Sequence, residues 1–343
     1  MKISTMLDHG ADPRQSAAHV ADLESAGLDT VWVAEGHGLD SPTLLGYLAA
    51  RTTTVEIGAA ILNVYSRTPG MLASTAAGLD SVSGGRAIIG LGASNPKIIE
   101  GWHGLPFTRP VQRVKETVDL VRAALRGEPV EYTGSTVRVP LPAGQGTGVG
   151  VPLPMMATPV RETVPLYVAG LGPRAAEGAA AHADGWLPFL YSPEGSSRVW
   201  GDALAAGRAR RSADLAPLEV VAGGLVAVGE DVKGVLDRAR PALALYIGGM
   251  GARGKNFFND LVGRYGYEAE AAAIQDLYLD GKTKEAEAAV PHELLEQLNL
   301  IGPASYVRER IAAFRESGVT NLQVTPIGEH PARLISQVKD WSS

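Results

Sequence analysis

Two titratable side chains, Glu35 and His37, follow a short apolar run at residues 30–34. A carboxylate and an imidazole can both move protons near neutral pH, provided that they face a bound ligand. The same residues could instead be an ion-paired carboxylate and a solvated loop histidine. The spacing leaves both interpretations open. Under the first, Glu35 and His37 are the catalytic residues of a proton-transfer site.

Further polar groups follow other apolar runs. Arg67 comes after the run at residues 55–62 and could bind an anionic ligand or pair with a carboxylate. The glycine-rich turn at residues 170–172 precedes a helix-like segment, so the free N–H groups there could hold a phosphate, or the turn could be an ordinary tight one. A similar turn at residues 90–95 lacks the later acidic residue of a dinucleotide fingerprint, so a Rossmann site is not predicted.

The composition narrows the classes of function. The chain of 343 residues has no cysteine, which excludes thiolate catalysis and cysteine-bound metals, and its seven histidines show no spacing typical of metal ligands. A net charge of −6 and a pI near 5.7 argue against a nucleic-acid partner. The sequence shows neither a membrane-spanning run nor a secretion signal, so we expect a soluble cytoplasmic protein with a small-molecule substrate.

An alternation of short apolar runs with longer helical patterns must position these groups. The clearest helix has Val111, Val114, Val118, Val121 and Leu125 at helical spacing. Eight runs are strand-like, at residues 2–7, 30–34, 55–62, 86–91, 165–169, 185–189, 219–228 and 321–326. Eight such units close most naturally into an α/β fold of the (β/α)8 TIM-barrel type, although an open doubly wound sheet also fits the periodicity.

Two stretches interrupt the alternation, at residues 128–163 and 248–291. We predict that they are insertions after the fourth and seventh strands of a single domain, residues 1–343. In a barrel the active site lies at the carboxyl ends of the strands. The polar groups named above follow strands, so we expect them to meet at that rim, with the insertions covering its mouth and setting selectivity.

Several segments together resemble luciferase-like, F420-dependent oxidoreductases. Residues 58–69 read GAAILNVYSRTP and are similar to the third-strand segment of that class, and SGGR at 83–86 with GLGAS at 90–94 fits its fourth unit. Four further motifs are similar to an actinobacterial subfamily: IEGWHG at 99–104, ADGWLP at 183–188, YIGGMG at 246–251 and KNF at 255–257. The resemblance covers essentially the whole chain.

The resemblance implies a luciferase-like barrel that binds reduced coenzyme F420, with FMN as the alternative cofactor. It implies a non-prolyl cis peptide between Ala60 and Ile61, behind the deazaflavin ring, and a homodimer. Substrate contacts are expected from Asn95 and Trp186. The implied cofactor contacts are Ala60, Ile61, Asn63, Arg67, Gly92, Ala93, Ser94, Ala169, Gly170, Leu171 and Gly172.

This sequence departs from better-studied members in two places. Those members often carry Asp-His after the second strand, where this chain has Glu35 and Gly36, and His37 lies one residue later. Asn95 occupies a place that the sugar-phosphate enzymes give to Glu, so a sugar phosphate is not the expected substrate.

The implied reaction is hydride transfer between deazaflavin C5 and an activated C=C, C=N or C=O bond of a small organic or natural-product substrate. Two alternatives share the barrel. One is an FMN-dependent monooxygenase of the luciferase-like type, and the other is a non-catalytic barrel that only binds the cofactor.

Overall fold

Eight parallel strands of the described chain close into a ring. The computed structural model describes residues 1–7, 12–157, 159–230 and 233–343. The strands are β1 Lys2–Met6, β2 Thr30–Val33, β3 Glu56–Asn63, β4 Ala87–Gly92, β5 Tyr132–Thr133, β6 Arg138–Val139, β7 Leu166–Ala169, β8 Gly185–Leu187, β9 Glu219–Val228, β10 Leu300–Gly302 and β11 Asn321–Pro326. The ring runs β1-β2-β3-β4-β7-β8-β9-β11 and back to β1. The predicted (β/α)8 barrel and all eight of its strands are confirmed.

The helices lie between the strands and, in one long segment, after β9. They are α1 Pro13–Ser25, α2 Ser41–Arg51, α3 Pro69–Ser83, α4 Pro96–Gly101, α5 Pro110–Leu125, α6 Pro173–His182, α7 Pro193–Ala209, α8 Lys233–Leu236, α9 Arg240–Ala244, α10 Phe257–Arg264, α11 Glu268–Leu279, α12 Thr283–Ala288, α13 His292–Leu298, α14 Ala304–Glu316 and α15 Pro331–Trp341. A π-helical turn, Leu245–Gly249, follows α9 directly.

Three helices that follow barrel strands, α2, α3 and α4, begin at a residue whose side chain caps the helix. Asp40 accepts a hydrogen bond from the Thr43 backbone at 2.9 Å, and Thr68 accepts one from the Met71 backbone at 3.2 Å. Asn95 caps α4 in the same way. Each cap satisfies an N–H group that the helix leaves unpaired, and each cap is followed by proline within the first turn. The sequence therefore fixes where the chain turns away from the rim.

The barrel interior is packed around Trp32. Its indole lies with Ile88, Tyr167 and Val221 in a buried cluster inside the ring, and the ring centroids of Trp32 and Tyr167 are 5.6 Å apart. A Cβ atom on Gly58 would lie 2.3 Å from the Trp32 ring, so only glycine fits there. Large side chains thus fill the middle of the barrel.

Charged side chains occupy the amino end of the same interior. Lys2 Nζ lies 3.0 Å from a Glu56 oxygen and 3.3 Å from a Glu219 oxygen. The Tyr167 hydroxyl donates to Glu219 at 2.5 Å. These groups pair with one another, so this end of the barrel is occupied and a ligand has to enter from the carboxyl rim.

The first insertion contains a short hairpin. Its strands β5 and β6 pair Tyr132 with Val139 and Thr133 with Arg138. Glu116 of α5 determines the turn, because its carboxylate accepts backbone hydrogen bonds from residues 135, 136 and 137. Residue 158 of this insertion lies outside the described residues.

The second insertion is wider than predicted and mostly helical. The helices α10, α11, α12 and α13 make up most of it. It ends at β10, which pairs with the carboxyl end of β9 through Leu300 opposite Val226. The segment begins and ends beside the carboxyl end of β9, so its helices lie at the rim.

Candidate active site

The predicted site residues follow strands that are neighbours in the ring. The strands β2, β3, β4 and β7 pair in that order. Asn63 at the end of β3 lies opposite Gly92 at the end of β4, and Leu91 lies opposite Val168 of β7. One arc of the rim therefore brings together the residues after these four strands.

The third strand is kinked where the resemblance implied. The Ala60–Ile61 peptide is cis, and the pairing of β3 with β4 shifts register between Ala59 and Leu62. A Cβ atom on Gly92 would lie 2.9 Å from Ile61 and 3.4 Å from Ala169. Ile61, Gly92 and Ala169 therefore form a shallow apolar floor across three strand ends, which we call the rim floor. The predicted cis peptide is confirmed.

Glu35 and Arg67 pair with each other beside the rim floor. The two guanidinium nitrogens lie 2.6 Å from the two Glu35 oxygens, and Arg67 also reaches Asp40 at 2.7 Å. The side chains of Glu35 and Arg67 are only 10% and 16% exposed. Hydrogen bonding to Glu35 raises the pKa of Arg67 above its usual value. For Glu35 the structure favours an ion pair over proton transfer, and for Arg67 it favours an ion pair over the binding of an anionic ligand.

His37 lies at the surface of the mouth. Its ring centroid is 6.5 Å from that of Trp102, which is 65% exposed. The described part of the chain gives the His37 ring no hydrogen bond, so both ring nitrogens remain available to a ligand or to water. The structure thus leaves His37 a candidate proton donor, without a partner that orients it.

A second histidine, His103, was not predicted and lies closer to the strand ends. Its Nε2 atom is 3.4 Å from Nδ2 of Asn63. The Asn63 oxygen accepts the backbone N–H groups of Tyr65 at 3.1 Å and Ser66 at 2.8 Å, which fixes the amide with its NH2 group toward His103. Neutral His103 then accepts at Nε2 and carries its proton on Nδ1. The IEGWHG motif was the only signal for it.

The loop after β4 presents a second amide. Ser94 has a φ of 60°, a left-handed conformation that turns the chain sharply before α4. The Asn95 side-chain oxygen accepts the Ile98 N–H at 3.1 Å. No described residue accepts from the Asn95 NH2 group, so this group can donate to a ligand at the rim.

Two buried indoles hold the glycine-rich turn at residues 170–172. Trp186 Nε1 donates to the Gly170 carbonyl at 3.0 Å, and Trp200 Nε1 donates to the Leu171 carbonyl at 2.7 Å. A Cβ atom on Gly170 would lie 2.4 Å from that of Ala175, so the turn packs closely on α6. Gly172 begins α6 with no side-chain cap and faces open space. An anion can therefore approach the first N–H groups of α6.

Trp186 was expected to contact the substrate, and this expectation is wrong for the described structure. The side chain is fully buried, with 0% exposure, and packs edge-on against Trp200 at 5.1 Å. Its neighbours along β8, Gly185 and Leu187, face the barrel interior, so alternation directs Trp186 outward toward the helices. It supports the turn at residues 170–172 from behind.

The described residues offer neither a metal-binding cluster nor a membrane-spanning helix. No three or more His, Asp or Glu side chains in the described part of the chain come together as a group that could hold a metal ion. None of the described helices is long and apolar enough to cross a membrane.

The ring and its polar rim define a β/α-barrel protein with a candidate ligand site at the carboxyl ends of its strands. The chain belongs to the luciferase-like monooxygenase family, whose sequence profile matches residues 1–321. The family resemblance inferred from the motifs is therefore confirmed.

Individual relatives cover nearly the whole chain. A protein of Mycobacterium tuberculosis, provisionally named coenzyme F420-dependent oxidoreductase, is 37% identical over 95% of both chains. The methylenetetrahydromethanopterin reductase of Archaeoglobus fulgidus is 24% identical over 93% of this chain and 92% of its own.

Solved structures share the fold. The F420-dependent tetrahydromethanopterin reductase of Methanopyrus kandleri superposes with a TM-score of 0.79 at 24% identity, over 98% of this chain and 96% of its own. An F420-dependent secondary alcohol dehydrogenase in complex with an F420–acetone adduct superposes with a TM-score of 0.77 at 16% identity, over 100% of this chain and 99% of its own.

Proposed function

We propose that the protein is an F420-dependent oxidoreductase that reduces an activated C=C, C=N or C=O bond of a small organic substrate. The observation that carries the proposal is the rim floor of Ile61, Gly92 and Ala169 next to the open amino end of α6. The relative that is 37% identical and bears an F420-dependent name supports the choice of cofactor. We include in the proposal that residues 1–343 act as one domain and that the protein is a homodimer.

The residues present fit a planar cofactor with a phosphate-bearing side chain. Gly92 and Ala169 carry no side chain larger than a methyl group, and Ile61 packs so closely on Gly92 that a larger side chain at residue 92 would meet it. We assign the deazaflavin ring to this floor, with Ala60, Ala93 and Ser94 beside it. Gly172 offers no side chain and no cap at the start of α6, so the backbone there can receive the phosphate.

The remaining chemistry concerns orientation and a proton. When bound, the reduced cofactor supplies a hydride from C5, and one proton must be added to balance the two-electron reduction of the double bond. His37 and His103 are the rim histidines that can deliver or relay this proton. Asn63 orients His103 through the Nδ2–Nε2 contact of 3.4 Å. Glu35 acts indirectly: it holds Arg67 and accepts from the Ser41 backbone at 3.3 Å, which anchors the loop that carries His37.

Titration of the purified protein with F420 and, separately, with FMN tests the proposal. We expect F420 to bind and FMN to bind much more weakly, and we expect reduced F420 to be oxidised on addition of an enone, imine or aldehyde. Binding of FMN alone would replace the proposal with the monooxygenase alternative. Tight F420 binding without oxidation by any electrophile would identify a non-catalytic barrel. Size-exclusion chromatography with light scattering checks the dimer.

A further inference from the structure

Three aromatic side chains form a cluster at the rim, in segments that follow β8 and β9. The Tyr246 ring centroid lies 4.6 Å from that of Phe189 and 4.9 Å from that of Phe258, and Phe189 and Phe258 are 5.8 Å apart. We call Phe189, Tyr246 and Phe258 the aromatic cluster. Phe189 comes two residues after β8, and the other two residues belong to the second insertion.

β8 brings this cluster to the carboxyl rim of the barrel. A Cβ atom on Gly185 would meet the Tyr167 ring at 2.4 Å, and Leu187 approaches the Cβ position of Gly90 within 3.0 Å, so both residues face the interior. The strand ends at Leu187, and Phe189 lies in the bend that follows it, just above the rim. Phe189 is still 40% exposed, so a ligand can reach the cluster.

A buried asparagine locks the backbone that carries Tyr246. The π-turn Leu245–Gly249 leaves carbonyl groups that ordinary helical hydrogen bonds do not satisfy, and such turns are frequent at functional sites. Asn256, only 1% exposed, donates from Nδ2 to the carbonyls of Tyr246 at 3.0 Å and Ile247 at 2.9 Å. Its side-chain oxygen accepts the Phe258 N–H at 3.0 Å. The Asn256 side chain therefore fixes the backbone at two members of the aromatic cluster, Tyr246 and Phe258.

The glycine pair that follows Tyr246 is required by the same packing. A Cβ atom on Gly248 would lie 2.5 Å from Cβ of Tyr278, and one on Gly249 would lie 2.5 Å from Cε1 of the same ring. The two motifs at residues 246–251 and 255–257 thus pack and hydrogen-bond as one structural unit, which holds the Tyr246 backbone at the rim.

The Tyr246 hydroxyl is the one polar side-chain group of the aromatic cluster. Tyr246 is half-buried, and no described residue makes a hydrogen bond to its hydroxyl. Burial raises the pKa of Tyr246, so the phenol stays protonated near neutral pH and can donate. The hydroxyl is not fully buried, so it is free to donate to water or to a ligand at the rim.

We propose that Tyr246 donates a hydrogen bond to the carbonyl oxygen of a neutral conjugated ketone or aldehyde that bears an aryl group, and that this aryl group packs against Phe189 and Phe258. The assignment rests on the proposed function and specifies its substrate class. The cluster itself carries no charge, and aromatic rings favour offset or edge-on contact with another ring.

Equilibrium titration with benzylideneacetone, an aryl enone, tests the assignment on the full-length protein, both with saturating oxidised F420 and without it. We expect Tyr246→Phe to bind the ketone about tenfold more weakly, because one hydrogen bond is lost while the ring is kept. Tyr278→Phe, which removes a hydroxyl from the same insertion and keeps its packing on the glycine pair, is the matched control and should bind as the wild type does.

A second variant separates the aryl contact from the hydrogen bond. Phe189→Leu should lower the preference for benzylideneacetone over cyclohexenone by about fivefold, whereas Tyr246→Phe should weaken both ketones equally. Equal binding by wild type and Tyr246→Phe, or no binding of the aryl enone by wild type, would overturn the assignment. The titration does not depend on turnover. A protein that never oxidises reduced F420 but loses ketone affinity in Tyr246→Phe therefore refutes the proposed function and supports the role of Tyr246.

Discussion

At the amino end of the barrel, Lys2, Glu56, Glu219 and Tyr167 satisfy one another, whereas at the carboxyl rim several polar groups keep a free hydrogen-bonding position. The amino-end groups lie within 3.3 Å of their partners. At the rim, the Tyr246 hydroxyl and the Asn95 NH2 group have no acceptor among the described residues, and α6 begins without a cap. Polar groups that pair internally stabilise a fold, and accessible groups that do not pair are available to a ligand. Changes at the two ends should therefore affect different measurements.

The largest effect should follow from filling the rim floor. Gly92→Leu places a side chain where even a Cβ atom would lie 2.9 Å from Ile61, so we expect the dissociation constant for F420 to rise about a hundredfold, or about 2.7 kcal/mol. Gly78→Leu, on the exposed face of α3 with no atom within 4 Å of its Cβ position, is the control. Fluorescence titration measures both. Wild-type affinity in a folded Gly92→Leu protein would remove the cofactor from this floor.

The cis peptide was predicted from the resemblance of residues 58–69 to a family segment, and the barrel strands were predicted from the sequence pattern itself. A run of small residues at 58–60 and the glycines at 90 and 92 allow strands to approach closely, and the periodicity of the apolar runs located all eight barrel strands. The strand β10, Leu300–Gly302, was missed. Its pairing depends on the length of β9, which is a tertiary property.

The side-chain partners at the rim could not be predicted to the same extent. Glu35 and Arg67 are 32 positions apart, and their pairing depends on adjacent strand ends that only the folded ring brings together. Trp186 was misassigned because a one-residue step along β8 changes the face of the barrel on which a side chain lies. His103 was missed because it follows α4 rather than a strand.

The next effect concerns the amino end and should leave the site intact. Tyr167→Phe removes the hydroxyl that donates to Glu219 at 2.5 Å within a nearly closed interior. We expect the free energy of unfolding to fall by about 1–2 kcal/mol, because a partly exposed acceptor loses a charge-assisted hydrogen bond. The affinity for F420 should not change. Urea denaturation gives the first quantity, and a changed F420 affinity would show that the two ends are coupled.

A smaller effect is expected at the rim from His103→Gln. Glutamine keeps a polar group near Asn63 but cannot transfer a proton, so kcat should fall about fivefold and lose part of its pH dependence, while F420 affinity is retained. His37→Gln provides the comparison between the two rim histidines. If only His37→Gln alters the pH profile of kcat, then His37 is the proton donor and His103 only supports Asn63.

The smallest effect should come from Glu24, at the amino end, and should disappear in acid. Burial raises the pKa of Glu24, but hydrogen bonds from residues 53–55 outweigh it and lower the pKa from 4.5 to about 2. A lowered folded-state pKa means that the stabilisation is complete above pH 4.5 and is lost as the pH falls toward 2. Glu24→Gln should therefore reduce the free energy of unfolding by about 1 kcal/mol at neutral pH and make it less sensitive to acid over this window. Thermal unfolding between pH 2 and pH 6 measures the difference, and parallel curves for the two proteins would mean that other carboxylates determine the acid response.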